Sequence, residues 1–200
     1  MKSYSITRMR KECQGTYRLF LVIAVIFGIE SAFFGAMWKV MDHAETGDAL
    51  LLICVFLGLS LFLMGGYFVV SDPKWMRKHT LYGKTLAKLG DAETLMREID
   101  REAEAMLYEC HSFALLKQWL VVYENASRRT RGFAAIESRP IPIDHLVRIA
   151  WSQDQHVENA GYWVQFEIAH DADVEVFVWE KADIEALRAW GASIREKQYL

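Results

Sequence analysis

The chain has 200 residues, 52% hydrophobic and 24% charged, with a formal net charge of −3 and three cysteines. Cys13, Cys54 and Cys110 fall in separate regions, which excludes a disulfide-stapled secreted scaffold and leaves no zinc-ligand spacing. Residues 91–200 carry 12 basic and 20 acidic side chains, and that acidic excess excludes a nucleic-acid footprint.

Residues 1–18 read as a basic tail with Lys2, Arg8, Arg10, Lys11 and Arg18. Two apolar runs follow, Leu19 to Val40 and Leu50 to Val70. Each has the roughly 20 residues that cross about 30 Å of hydrocarbon at about 1.5 Å per helical residue. They predict transmembrane helices over 19–41 and 49–71, joined by a short external loop over 42–48. A cleavable signal peptide is the competing reading of the first run. At 22 residues the run exceeds the usual apolar core of about 7–15, and no small-residue cleavage site precedes the loop. The loop holds Asp42, Glu45 and Asp48, whereas Lys74, Arg77, Lys78, Lys84 and Lys88 follow the second run. Short-loop Lys and Arg mark the cytoplasmic side, so the expectation is a two-span protein of the cell membrane with both termini in the cytoplasm. Tyr17, Trp38, Tyr67 and Trp75 stand where interfacial aromatic belts occur.

Glu30 lies near the middle of the first span, where a charge costs at least about 2.5–3.5 kcal/mol. If the hairpin is symmetric about Glu45, Ser60 stands at its depth, and a hydrogen bond to a protonated carboxyl is the economical reading. A contact with a partner span and a proton or ion relay are the alternatives. Ala24, Gly28, Ala32 and Ala36 recur every four residues on the first helix, and Gly58 and Gly65 form a comparable small face on the second with Cys54. Small residues let helices approach closely in lipid, either within the hairpin or between copies of the chain.

Residues 72–107 read as a juxtamembrane helical segment. Pro73 stops the second span, Gly90 stops a helix and Asp91 caps the next. Leu95, Met96, Ile99, Ala103 and Met106 then recur at helical spacing, to an end near Leu107. Beyond it the period changes to two. Tyr108–Leu116 and Trp119–Tyr123 read as strands around a Lys117-Gln118 turn, Phe133–Ile136 as a short strand, and Leu146–Trp151 as another. Pro140 and Pro142 confine their stretch to a strand start or a sheet edge. Tyr162, Val164, Phe166 and Ile168 alternate with polar positions and Trp163, Val174–Trp179 returns, and a helix from about Asp183 carries Ile184, Leu187, Trp190 and Ile194. A fragment from Gly90 to Leu200 is expected to fold alone.

The Phe113–Tyr123 hairpin with Trp119-Leu120-Val121-Val122, the Pro140-Ile141-Pro142-Ile143-Asp144-His145-Leu146 strand entry and the Tyr162–Glu180 hairpin before Ile184–Ile194 resemble the pleckstrin-homology-like superfold over residues 108–200. The segments Leu81-Tyr82-Gly83-Lys84 to Ile99-Asp100-Arg101-Glu102 look like those of uncharacterised bacterial membrane proteins that pair a helical hairpin with such a domain. The resemblance implies an α+β domain, a bent antiparallel sheet closed by the C-terminal helix; a different small α+β sheet is the alternative. It also implies that a basic loop, here Arg128, Arg129 and Arg131, binds anionic headgroups, with a plain solvated loop as the competing reading.

His111, His145, His156 and His170 are scattered without a partnered nucleophile, and no glycine-rich phosphate loop occurs. The expectation is a non-catalytic binding or scaffolding module without cofactor or metal. It meets membrane lipid and a protein partner or a second copy of itself. An accessory subunit of a transporter or channel is the alternative, and an anionic-lipid sensor a weaker one.

Overall fold

Long apolar sequence builds long helices here. The computed structural model describes residues 3–40, 46–124, 136–153 and 161–198. The chain divides into two compact units, Cys13–Met76 and a second made of Met1–Glu12 with Arg77–Leu200. The first unit contains α2 (Gln14–Val40) and α3 (Thr46–Ser71), and Gln14–Met37 and Leu50–Ser71 are each long and apolar enough to span a membrane. Their register is set by side chains of unlike kind. Phe27 stacks on Phe56 with ring centroids 5.8 Å apart, and Tyr17 meets Tyr67 edge-on at 5.7 Å. Tyr17 Oη donates to Val70 O at 3.0 Å. The ring of Phe20 lies on Gly66, where a Cβ would stand 3.1 Å from a ring carbon. Large apolar side chains cover the outside, Phe62 being 77% and Phe68 65% exposed.

The second unit begins with α1 (Tyr4–Glu12), where the sequence reading expected a basic tail. Its buried residues, Ser5, Arg8, Met9 and Glu12, share one helical face, and three of the four are polar. A search for apolar periodicity passes over such a face. The juxtamembrane stretch is three helices: α4 (Pro73–His79), α5 (Leu81–Leu89) and α6 (Ala92–Ala103). Thr80 caps α5 by accepting from Gly83 N at 3.1 Å, and Asp91 caps α6 through Glu93 N and Thr94 N. Gly83 is required by contact: a Cβ on it would lie 2.2 Å from the carbonyl oxygen of Arg77. α6 ends four residues before the expected Leu107.

Among the described residues, seven antiparallel strands follow in two sheets. One has the order β1 (Tyr108–Glu109), β2 (Phe113–Leu115), β3 (Trp119–Glu124), β4 (Glu137–Pro142); the other β5 (Leu146–Gln153), β6 (Tyr162–Ile168), β7 (Val174–Val178). The stretch expected as one strand over Tyr108–Leu116 is two, with Tyr108 paired to Leu115. Cys110 N donates to Phe113 O at 2.9 Å, which turns the chain at residues 110–112. Pro140 and Pro142 sit in β4 at the edge of its sheet, where their missing N–H groups cost no ladder bond on the open side. The expected strand over Phe133–Ile136 falls almost wholly outside the described residues.

One core joins the two sheets to α7 (Lys181–Gln198). Val164, Phe166 and Ile168 of β6 and Val174, Val176 and Val178 of β7 meet Phe113, Leu120 and Ile141, with Ile184, Leu187 and Trp190 of α7 in the same cluster. Trp190 Nε1 donates to Leu116 O at 2.8 Å, satisfying the polar atom of the largest side chain on that helix face.

Candidate functional site

The densest polar chemistry of the second unit lies where α1 docks. Asp100, on α6, accepts from Ser5 N at 2.7 Å and from Ser3 Oγ at 2.5 Å, placing a carboxylate at the N-terminus of α1, where the helix dipole favours it. Ser5 Oγ shares a hydrogen bond of 3.0 Å with Tyr82 Oη of α5. Arg8 stacks on two rings, its guanidinium carbon 5.0 Å from the centre of Tyr4 and 4.1 Å from that of Tyr123, and pairs with Glu109 of β1. Tyr123 Oη in turn donates to Glu109 Oε1 at 2.9 Å. Burial raises the phenols of Tyr4, Tyr82 and Tyr123, so all three stay neutral donors.

Glu12 closes the far end of α1. Its Oε2 accepts from Leu81 N at 2.8 Å and Tyr82 N at 3.5 Å, the first N–H groups of α5, which have no partner within their own helix. Its Oε1 accepts from Ser138 N of β4 at 3.0 Å. Burial outweighs these three donors and pushes the carboxyl up to about 8, with the charge of Glu137 adding to the rise. One side chain thereby ties α1, α5 and β4 together.

A second feature is open. A cleft of about 530 Å³ is lined by the apolar Leu89, Leu95, Trp119, Ile143 and Ile194 and by the charged or polar Glu98, Lys117, Asp144 and His145. Trp119 Nε1 donates to Glu98 Oε1 at 3.3 Å, so one acidic group is already oriented there. An apolar trough of this volume with polar groups of both signs in its lining suits an apolar side chain or small molecule with a polar end. Cys110 is pushed up to about 11 by burial and is a thiol, not a thiolate. Among the described residues, no group of three or more His, Cys, Asp or Glu could hold a metal ion.

The residues singled out in the sequence are dispersed. Ser60 Oγ donates to Ala24 O at 2.9 Å, not to Glu30, and Ser31 Oγ reaches Ile53 O at 3.3 Å. The hairpin is therefore not centred on Glu45; Ser60 faces Ala24 and Gly28, six and two residues before Glu30 on the helix. No hydrogen bond or ion pair reaches Glu30 among the described residues. Ala24 is buried and Gly28 would carry a Cβ 3.6 Å from Ser60 Oγ, so these two pack within the hairpin. Ala32 and Ala36 are exposed, and a Cβ on Gly58 or Gly65 would meet nothing within 4 Å, so these four do not pack within it. Arg128, Arg129 and Arg131 lie outside the described residues. Sequence reading missed Ser5, Arg8, Glu12 and Asp100; the signal available was the spacing of Ser5, Arg8 and Glu12 on one helical face.

No protein-family model matches the chain, and the comparisons with curated proteins and with solved structures found no match.

Proposed function

We propose that the protein is a membrane-anchored binding module, a two-span hairpin carrying a non-catalytic cytoplasmic domain that docks a protein partner. One observation carries this reading: the segments on either side of the hairpin, Met1–Glu12 and Arg77–Leu200, belong to one folded unit. A hairpin inserted into a single unit returns both its ends to the same side of a bilayer, and the flanking Lys and Arg favour the cytoplasm for that side. The apolar outer surface of α2 and α3 supports lipid as its solvent. Seven strands divided four and three, followed by a helix that enters the core, support the pleckstrin-homology-like assignment of 108–200. The cleft beside Trp119 is the docking feature we assign to a protein partner with an apolar side chain.

The test is purification of the full chain in mild detergent after cross-linking, comparing wild type with Leu95→Arg, which fills the cleft and adds a positive charge. A partner present with wild type and lost with Leu95→Arg is expected. Retention of the whole partner set would overturn the cleft as the docking site. A cysteine introduced at Glu45 should react with an impermeant reagent on intact cells, and one at Gln198 should not.

A second reading, an accessory subunit of a membrane complex, is favoured by Glu30. With Ser60 committed to Ala24, Glu30 has a polar side chain and no hydrogen bond among the described residues, as a contact for another span would require.

A further inference from the structure

The cleft beside Trp119 does not end at its own lining. A second hollow of about 770 Å³ adjoins it, and Glu98, Lys117 and Gln118 belong to both. Together they form one groove along a single face of α6, where Leu95, Glu98, Arg101 and Glu102 follow at spacings of three and four. The Lys117-Gln118 turn between β2 and β3 supplies the rest of the shared lining.

The charges of this groove are sorted. Glu98 accepts from Trp119 Nε1 at 3.3 Å and Glu102 from Gln118 N at 2.8 Å, so both carboxylates are turned onto the neighbouring strand and turn. Arg97 is tied back to Glu93 at 2.8 Å. Arg101 and Lys117 are exposed, and among the described residues neither makes an ion pair. Asp144 and His145 line the cleft but not the hollow. One end of the groove is therefore apolar, and the uncommitted charge of the other is positive. Residues 91–200 carry 20 acidic against 12 basic side chains, a field that repels a polyanion such as nucleic acid or an anionic bilayer. Two local cations beside an apolar trough fit instead a carboxylate on a peptide.

We propose that the groove takes an extended segment of a partner protein, whose apolar side chain enters the cleft while a nearby acidic residue meets Arg101 and Lys117. The proposal rests on the docking reading of the cleft and adds the chemistry of the partner. Leu95 and Arg101 stand about 9 Å apart along α6 at about 1.5 Å per residue. An extended chain covers that distance in about three residues at about 3.3 Å each. The partner motif is thus an apolar residue with an aspartate or glutamate about three positions away.

Peptide selection on the full chain in lipid nanodiscs tests this. A random peptide library displayed on phage is depleted on empty nanodiscs, then selected at low salt on three proteins. These are wild type, Leu95→Trp, which fills the cleft without adding a charge, and Arg101→Glu combined with Lys117→Glu. Both reversed side chains are exposed, and circular dichroism checks that each protein is folded. Peptides that need Leu95 are expected to carry the acidic residue at about that spacing. They should bind the doubly reversed protein about tenfold or more weakly and lose affinity in about 1 M salt, where screening acts within about 3 Å. The reversed protein should select lysine or arginine at the same position. Cleft-dependent peptides without an acidic preference, or acidic ones that the double reversal weakens by less than about twofold, overturn the proposal and leave the cleft as a docking site. Self-association of wild type abolished by Leu95→Trp would make a second copy the occupant, which also overturns it. If no peptide selected on wild type depends on Leu95, the docking reading of the cleft falls and the proposal falls with it.

Discussion

The Glu12 carboxylate accepts the backbone N–H of Ser138 at 3.0 Å, joining residues 126 positions apart. Its other oxygen takes the first N–H groups of α5, so one side chain supplies acceptors to two elements that sequence places on the far side of the hairpin. The basic segment at the start of the chain is consequently part of the domain that follows the spans.

Glu12→Ala should lower the thermal midpoint of the second unit, because it removes the acceptor of the Leu81, Tyr82 and Ser138 N–H groups. Each buried N–H left without a partner costs about 1–3 kcal/mol. Circular dichroism of the full chain in detergent checks it. An unchanged midpoint would mean that water replaces the carboxyl at no cost.

Arg8→Lys keeps the charge and loses the planar stack between Tyr4 and Tyr123. A lysine ammonium is a compact point charge that cannot reproduce that geometry, so stability should fall by about 1–2 kcal/mol. Glu109 is partly exposed, which keeps the loss below that of a fully buried pair. Denaturant midpoints of the two proteins in the same detergent give the comparison.

The composition of the unit changes which fragment should fold. Gly90–Leu200 retains the sheets, α6 and α7 but lacks α1 and α5, and with them the buried Met9, Tyr82 and Leu86 and the Tyr4 and Arg8 contacts to Tyr123. It should unfold at lower denaturant, and less cooperatively, than a fusion in which a flexible linker joins Met1–Glu12 to Arg77–Leu200. Equal midpoints would contradict the shared core.

Where burial is apolar and periodic, the sequence was readable: β6 alternates as its residues do, and Ile184, Leu187 and Trp190 are buried on α7. Asp91 caps α6 and the two prolines lie on an edge strand, because cap and edge chemistry are local. The docked α1 was not readable, since its buried face is polar and its partners are Leu81, Tyr82, Asp100, Glu109 and Ser138, far along the chain. The turn at Cys110–Ser112 was hidden by apolar flanks that suit one long strand as well as two short ones. Hairpin depth is not legible in the sequence because the centre of the loop does not fix it; packing of Phe20 on Gly66 and of Phe27 on Phe56 sets a register centred before Glu45.

The structure separates Glu30 from Ser60, and their substitutions should separate as well. Ser60→Ala and Ser31→Ala each remove an interhelical hydrogen bond and should cost the hairpin about 0.6 kcal/mol. Glu30 bonds nothing described in the hairpin, so Glu30→Leu should leave hairpin stability equal or improved, a mid-span carboxyl being unfavourable by about 2.5–3.5 kcal/mol when charged. Unfolding titrations in mixed detergent micelles measure all three variants. A destabilised Glu30→Leu protein would mean that the carboxyl has a partner inside the hairpin. Co-purification then reads function: Glu30→Gln keeps size and hydrogen bonding but cannot titrate or carry charge. Loss of a partner in Glu30→Gln, with hairpin stability intact, would place that partner's span against Glu30 and favour the accessory-subunit reading. Retention of every partner by both Glu30 variants, together with loss in Leu95→Arg, would assign recognition to the soluble cleft instead.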